Sequence, residues 1–398
     1  VLLGWNEQAI LSDNHPQFAV KNLNATQTTQ HRTKVLQNAA TKKLYVYEYI
    51  LVSGQQSFLN ATQNYANLAG MKANLYKCFL PQAWQFGSSI GVSAFVHPNG
   101  IYDDPKGGQL REKQYPRLKQ HFQFENELNL FTGTNDHGRM RFSLNVYSNK
   151  TSSNFDAINN LFTTSTIEEC YDDSIKGKIP GIKDDEGKWE IKGHPGRVLH
   201  ITKKELKLFS HVFDGDDNWR QARLPMLHAS AFVEVLERMS EQPTTLTSLG
   251  EEMYTTQMWN ETQAQNAGII IRDIHFPIEH YDGIFSGAHM GVLNPFYKCM
   301  KRVYNSNNDY DCTDLTVLPS NYYQRCMYNI GTEMFEYLSS IPRTKYDRIY
   351  TSQYRLFVRK MLNQNGERTL IGAIMPPKVG HTHGILGISF KDEKDLIL

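Results

Sequence analysis

The chain has 398 residues, 40% of them hydrophobic and 12% aromatic, which is length and apolar content enough for two or three folded domains with sizeable cores. No stretch approaches the roughly 20 consecutive apolar residues that a membrane-spanning helix needs, which excludes an integral membrane protein of the helical kind. The net charge of +1 is unevenly spread: residues 1–150 carry 15 Lys/Arg against 9 Asp/Glu, residues 151–269 carry 12 against 19, and residues 270–398 carry 15 against 13, so a polyanion would be gripped locally and not by the whole surface.

The start, Val1-Leu2-Leu3-Gly4-Trp5, has no charged n-region and reads as the cut end of something longer. Five cysteines with no Cys-x-x-Cys pair argue against a disulfide framework and a zinc site, and fit a reducing, cytoplasmic setting. Gln27 to Lys43 predicts a polar helix, and Leu44 to Val52 (LYVYEYILV) either a strand or a buried helix. Between Phe58 and Phe86, Leu68, Met71, Leu75, Phe79 and Ala83 recur at spacings of three and four, the period of an amphipathic helix or helix pair, which Pro81 kinks or caps. Gly91 to Val96 predicts a compact strand closed by the turn residues His97-Pro98-Asn99-Gly100. Gln109 to His121 reads as a helix crossed by Pro116, and two strands follow at Leu128 to Phe131 and Phe142 to Tyr147. That succession is the second half of an open α/β sheet.

Residues 151–221 turn polar and acidic, with Lys176 to Lys192 a loop or hairpin. Ala222 to Glu241 predicts a helix with Pro225 near its start and Leu224, Leu227, Ala231, Val235 and Met239 along one side. From about Thr245 the texture becomes short mixed elements rich in Asn, Tyr, Pro and Gly, as in a β-containing recognition domain.

Asn74-Leu75-Tyr76-Lys77-Cys78-Phe79 followed by the strand that ends near Pro98 is open to an ordinary packing role. It also resembles the middle of a gamma-order, amino-directed DNA methyltransferase, in which such a helix lies beside the cofactor. Phe142 to Tyr147 resembles the later strand that brings an aromatic to a flipped base. Tyr254 to Asn260 (YTTQMWN), Phe285 to Lys298 (FSGAHMGVLNPFYK), Asp314-Leu315-Thr316 and Gly366 to Pro377 (GERTLIGAIMPP) extend the resemblance over nearly the whole chain. The group is that of large single-chain restriction–modification and phage-defence adenine methyltransferases, including type IIG-like enzymes.

This resemblance implies an α/β fold, the second half of a Rossmann-like methyltransferase sheet over residues 1–150. An acidic insertion and helical spacer would cover 151–245, and an α+β target-recognition domain 246–398. It implies S-adenosylmethionine as cofactor of the intact enzyme, with Asn74, Phe79 and Pro98 beside it, and Tyr147 or Phe142 stacking on the target adenine. The Gly-rich cofactor loop and the Asn-Pro-Pro-aromatic motif of such enzymes are missing here, so no catalytic set is intact, and both are expected upstream on the same polypeptide. Asn294-Pro295-Phe296-Tyr297 lacks the tandem Pro and reads as a structural turn.

Residues 341–368 carry seven positive charges against two negative, which makes Arg343, Lys345, Arg348, Arg355, Arg359, Lys360 and Arg368 candidates for duplex DNA contact. Arg355 and Arg359, like Tyr350 and Tyr354, would share a helical face. His381-Thr382-His383 lacks a third ligand and reads as a loop, not a metal site. The alternative to a methyltransferase part is a stand-alone DNA-binding specificity module without catalysis.

Overall fold

Asn38 divides the first helical region. A computed structural model describes residues 5, 7–20, 25–72, 74–131, 140–152, 154–242, 245–291, 294–303, 309–361 and 370–396. It opens with helices α1 (Glu7–Asn14), α2 (Gln17–Val20), α3 (Ala25–Val35) and α4 (Ala39–Asn60). The single helix expected over Gln27 to Lys43 is broken, because the Asn38 side chain accepts from the amides of Ala40 (2.9 Å) and Thr41 (3.2 Å) and so starts a new helix. Leu44 to Val52 is helical and largely exposed, within α4. Leu11, Phe18 and Val35 form a small core here.

Helix α5 (Leu75–Phe86) carries Pro81 inside it and buries Cys78, Leu80 and Trp84. Then come β1 (Val92–Pro98), α6 (Gly108–Gln114), β2 (Leu118–Glu125), β3 (Arg141–Ser148) and β4 (Phe155–Leu161), followed by α7 (Ser165–Cys170), β5 (Leu199–Ile201), α8 (Lys203–Phe209) and α9 (Ala231–Ser240). The helix expected from Gln109 ends at Gln114, and β2 begins at Leu118, just beyond Pro116, which cannot donate to a helix. The strand expected at Leu128 to Phe131 lies earlier, at β2.

The five strands form one sheet in the order β1-β3-β2-β4-β5. Strand β3 is antiparallel to both β1 and β2, β4 is parallel to β2, and β5 is antiparallel to β4. Thus β1, β2 and β4 point one way, and α6 crosses between β1 and β2 while β3 fills the space between them. The sheet is mixed, where the sequence suggested a Rossmann-like half-sheet.

The chain divides into two compact units, Val1–Gln242 and Pro243–Leu398. Residues 151–242 are therefore not a spacer: β4 and β5 belong to the first sheet. The helix expected from Ala222 starts only at Ala231. Before it the chain is extended and fixed to the sheet side by Leu224 N–H on Tyr102 O (3.0 Å), Tyr115 Oη on Ala222 O (2.6 Å) and buried Arg111 Nε on Gln221 O (3.0 Å). Lys176 to Lys192 contains a turn, with a β-bridge between Lys183 and Trp189 and Asp184 Oδ1 accepting from Glu186 and Lys188 amides.

The second unit contains β6 (Met253–Thr256), α10 (Glu261–Asn266), β7 (Ile270–His275), β8 (Ile284–Phe285), β9 (Lys298–Met300), β10 (Tyr310–Cys312), β11 (Cys326–Ile330), α11 (Met334–Ser339), β12 (Arg355–Arg359), β13 (Gly372–Met375), β14 (Gly380–His381) and β15 (Ile385–Phe390). They make a pair β10-β9 and two four-stranded sheets, β14-β8-β11-β7 and β13-β12-β15-β6. Tyr337, Tyr350, Phe357 and Ile385 are fully buried. His381 sits among them, its Nδ1–H on Thr382 O (3.3 Å) and its Nε2 accepting from Tyr350 Oη (3.0 Å). A Cβ at Gly387 would collide with Tyr350 Oη and His381 Nε2, so this contact requires glycine in β15.

Candidate functional site

The helix that begins Asn74-Leu75-Tyr76 lies against the carboxyl end of β1. The Tyr76 ring stacks on His97 with centroids 5.2 Å apart. Lys77 is buried, its ammonium 3.6 Å from Asp104 and 3.3 Å from Lys72 O. Asn74 is the N-cap residue of α5 but makes no side-chain cap bond, and its buried Oδ1 meets no donor among the described residues. Phe79 is exposed on α5, and Pro98 is exposed at the end of β1. Burial pushes the Asp103 carboxyl above its ordinary range.

Behind this end of β1 is a closed polar network. Asn145 Oδ1 accepts from Tyr102 Oη (2.5 Å) and from His121 Nδ1 (2.8 Å), and its amide nitrogen donates to His97 Nε2 (3.0 Å). Tyr147 Oη accepts from Gln114 Nε2 (2.9 Å) and lies 3.3 Å from His97 Nε2, to which it can donate. His97 Nε2 is thus an acceptor, and its Nδ1–H donates to Pro98 O (2.9 Å). Burial lowers both His97 and His121 to about 4, so both rings are neutral at pH 7.

Tyr147 is fully buried and packs edge-on against Trp84 (5.6 Å). It cannot stack on a base without leaving the core, so its expected role is corrected: it is a core residue. Strand alternation puts Phe142 on the other face, where it stacks on Phe124 (5.1 Å) and meets Phe131 edge-on (4.8 Å). Phe142 keeps some accessible surface.

Apart from one 3-10 turn at Tyr350–Ser352, the described part of the basic segment is strand and turn, not the helix expected. Arg355 and Arg359 lie on β12, where residues four apart also share a face, so their spacing fits both periods. Arg355 is fully buried; its Nε donates to Gln353 O (3.1 Å) and its Nη2 to Pro376 O and Val379 O (2.9 Å each). Its guanidinium also lies 4.8 Å from the Tyr350 ring centroid. A guanidinium held this way is a structural clip, and the expected DNA contact at Arg355 is withdrawn.

Arg359 is half-buried and donates to Met361 O (2.6 Å) and to Met290 O. Arg343 pairs with Asp347 (2.8 Å), and Arg348 donates to Gln353 Oε1 (3.3 Å) and Lys391 O (3.1 Å). Lys345 and Lys360 are exposed. Arg368 lies outside the described residues. Asn294 to Tyr297 is a turn, as expected: Phe296 adopts φ 62° and its amide donates to His289 O (2.6 Å).

The sequence reading passed over a cleft of about 650 Å³ in the second unit, which includes Phe296, Tyr323 and Gln324. The cluster Tyr322-Tyr323-Gln324 was its one local signal. Among the described residues there is no group of three or more His, Cys, Asp or Glu that could hold a metal, and no helix long and apolar enough to cross a membrane.

No family model matches the chain, and no curated protein matches it. Among solved structures it is loosely similar to the type IIG restriction endonuclease BpuSI, with 12% sequence identity and a TM-score of 0.29. The likeness covers 90% of this chain and 40% of that enzyme. A likeness this loose fixes neither topology nor chemistry.

Proposed function

We propose that this chain is part of a site-specific DNA adenine methyltransferase of a restriction–modification or phage-defence system. Its second unit would contact duplex DNA, and its first unit would complete a cofactor-binding sheet. The observation that carries this reading is the placement of the Asn74-Leu75-Tyr76 helix against the carboxyl end of β1, where the resemblance puts a cofactor. The orphaned Asn74 Oδ1, and the Asp103 carboxyl in the loop after β1, are acceptors that suit the hydroxyl and ammonium donors of S-adenosylmethionine. When bound, that cofactor supplies an electrophilic methyl group.

This chain's part is positioning. Asn74 would orient the cofactor, Pro98 would shape the edge of its site, and Phe142 would offer a ring to a base drawn from the duplex, at a cost of roughly a few kcal/mol. Among the described residues strand β1 pairs only with β3, and Val92 and Val96 are exposed along it. Its open edge suits a further strand, which we assign to the polypeptide that bears the Gly-rich loop and the Asn-Pro-Pro-aromatic motif. A cytoplasmic setting follows from this reading.

The test is duplex binding measured from 50 to 200 mM salt. Affinity is expected to fall log-linearly, and Lys345→Ala with Lys360→Ala should shallow the slope by about 2. Binding without salt dependence would sink the DNA reading. Turnover of labelled S-adenosylmethionine by this chain alone would sink the assignment of catalysis to other residues.

A further inference from the structure

The cleft in the second unit is lined by aromatic and apolar side chains, chiefly Phe285, Phe296, Tyr322, Tyr323 and Ile374, together with Gln324. Gln324 is 4% exposed, and its Nε2 donates to Phe296 O (2.7 Å) and Lys298 O (3.0 Å). Those two bonds fix the amide, so its oxygen cannot be exchanged for its nitrogen. Oε1 is buried and meets no donor among the described residues. An acceptor buried without a donor is costly, and a ligand that brings an N–H would relieve it.

His280 also lines the cleft. Its Nδ1–H donates to Pro377 O (3.2 Å), which leaves Nε2 as a second acceptor. His280 and Tyr323 also line an adjoining hollow of about 380 Å³, where the Lys378 ammonium lies 4.8 Å from the Tyr281 ring centroid. The Glu279 carboxylate in that hollow caps the turn Glu279 to Asp282 by accepting from the backbone there. An aromatic slot with a fixed acceptor and a neighbouring cation matches a planar ring that carries an amine and is joined to a phosphate.

We infer that this cleft holds an unstacked, amine-bearing nucleobase of a nucleic-acid strand. Gln324 Oε1 accepts from the exocyclic amine, the rings of Phe296 and Tyr323 flank the base, and Lys378 faces the backbone phosphate. The polymer rests on the DNA reading above, whereas the recognition of the base rests on the cleft itself.

Two measurements on the full chain separate the two. The first titrates a duplex with one bulged adenine against the same duplex fully paired, and against one with a bulged thymine. The bulged adenine should bind about tenfold more tightly than either, the scale expected from stacking one base. Ile374→Trp, which fills the cleft from a position 56% exposed, should abolish that preference and leave the paired duplex unaffected. Tyr323→Leu should weaken it.

The second measurement titrates adenosine, read by tyrosine fluorescence and by NMR shifts. Adenosine binding that is lost in Ile374→Trp supports the cleft even if no duplex binds, in which case the DNA reading fails alone. Equal affinity for bulged and paired duplexes together with no adenosine binding overturns the inference. So does displacement of adenosine by N-acetyltryptophanamide at lower concentration, which would make the occupant a protein side chain.

Discussion

Arg355→Ala should destabilise the second unit by about 3–5 kcal/mol, because it removes the charged donor from three backbone carbonyls at about 1–3 kcal/mol for each left unsatisfied. The carbonyls of Gln353, Pro376 and Val379 all rely on this guanidinium, and each would be left in the core without that donor. Those carbonyls flank the start of β12 and follow β13, so the loss falls on the pairing of the two strands. Arg355→Lys should recover little, because an ammonium cannot span carbonyls on two segments as a planar fork does. The measurement is urea unfolding combined with hydrogen exchange localised to residues 245–396. Lys360→Ala, on an exposed side chain nearby, should move stability by less than about 0.5 kcal/mol. If Arg355→Ala unfolds at the same urea concentration as the parent and loses duplex affinity instead, the clip assignment fails.

Acid should unfold the chain well before its carboxylates are protonated. Burial lowers His97, His121, His228 and His289 to about 4, and His381 to about 3. Unfolded histidine titrates near 6.5. Between those values the unfolded chain binds protons that the folded chain refuses, so stability rises with pH across this window and is lost as pH falls from about 6.5 toward 4. Each ring contributes up to about 3 kcal/mol over the full window, so the three in the first unit and the two in the second each amount to a loss on the scale of a domain's stability. Glu125 and Asp103, whose carboxyls burial raises, act in the opposite sense and offset part of the loss. The urea midpoint followed by circular dichroism should therefore drop steeply between pH 6.5 and pH 5. A flat midpoint over that interval would show that the histidines are not held neutral.

Local pattern was enough for the helix at α5 and the strand at β1, since a three-and-four spacing and a run closed by Pro98-Asn99-Gly100 each admit one period. It misled where two periods coincide. Arg355 and Arg359, four apart, share a face in a helix and in a strand alike, and only the pairing of β12 with β13 and β15 decides between them. Charge count gave the basic segment, but which cations face water depends on carbonyls 21 and 24 residues further along the chain. Tyr147 shows the same limit: an aromatic in a strand looks alike as core or as site until Gln114, Tyr102 and His97 gather around its hydroxyl. The helix expected across Ala222 to Ala229 yielded because Tyr102 and Tyr115, more than 100 residues earlier, take up that backbone. The Gln324 cleft depends on strands and loops distant in sequence, so no spacing announced it.

The place of β3 in the first sheet bears on how the chain is made. Strands β1 and β2 leave the ribosome before β3, yet neither can bond to the other, because the space between them belongs to a strand that ends at Ser148. Until translation passes that point, α6 connects two strands whose edges facing the future β3 are bare. Closure then requires a late strand to enter between earlier ones, a non-local step that slows folding. The nascent intermediate that ends near Gln123 should therefore be a favoured chaperone client and the most aggregation-prone species during synthesis. Arrival of Arg141–Ser148 should release it from both fates at once.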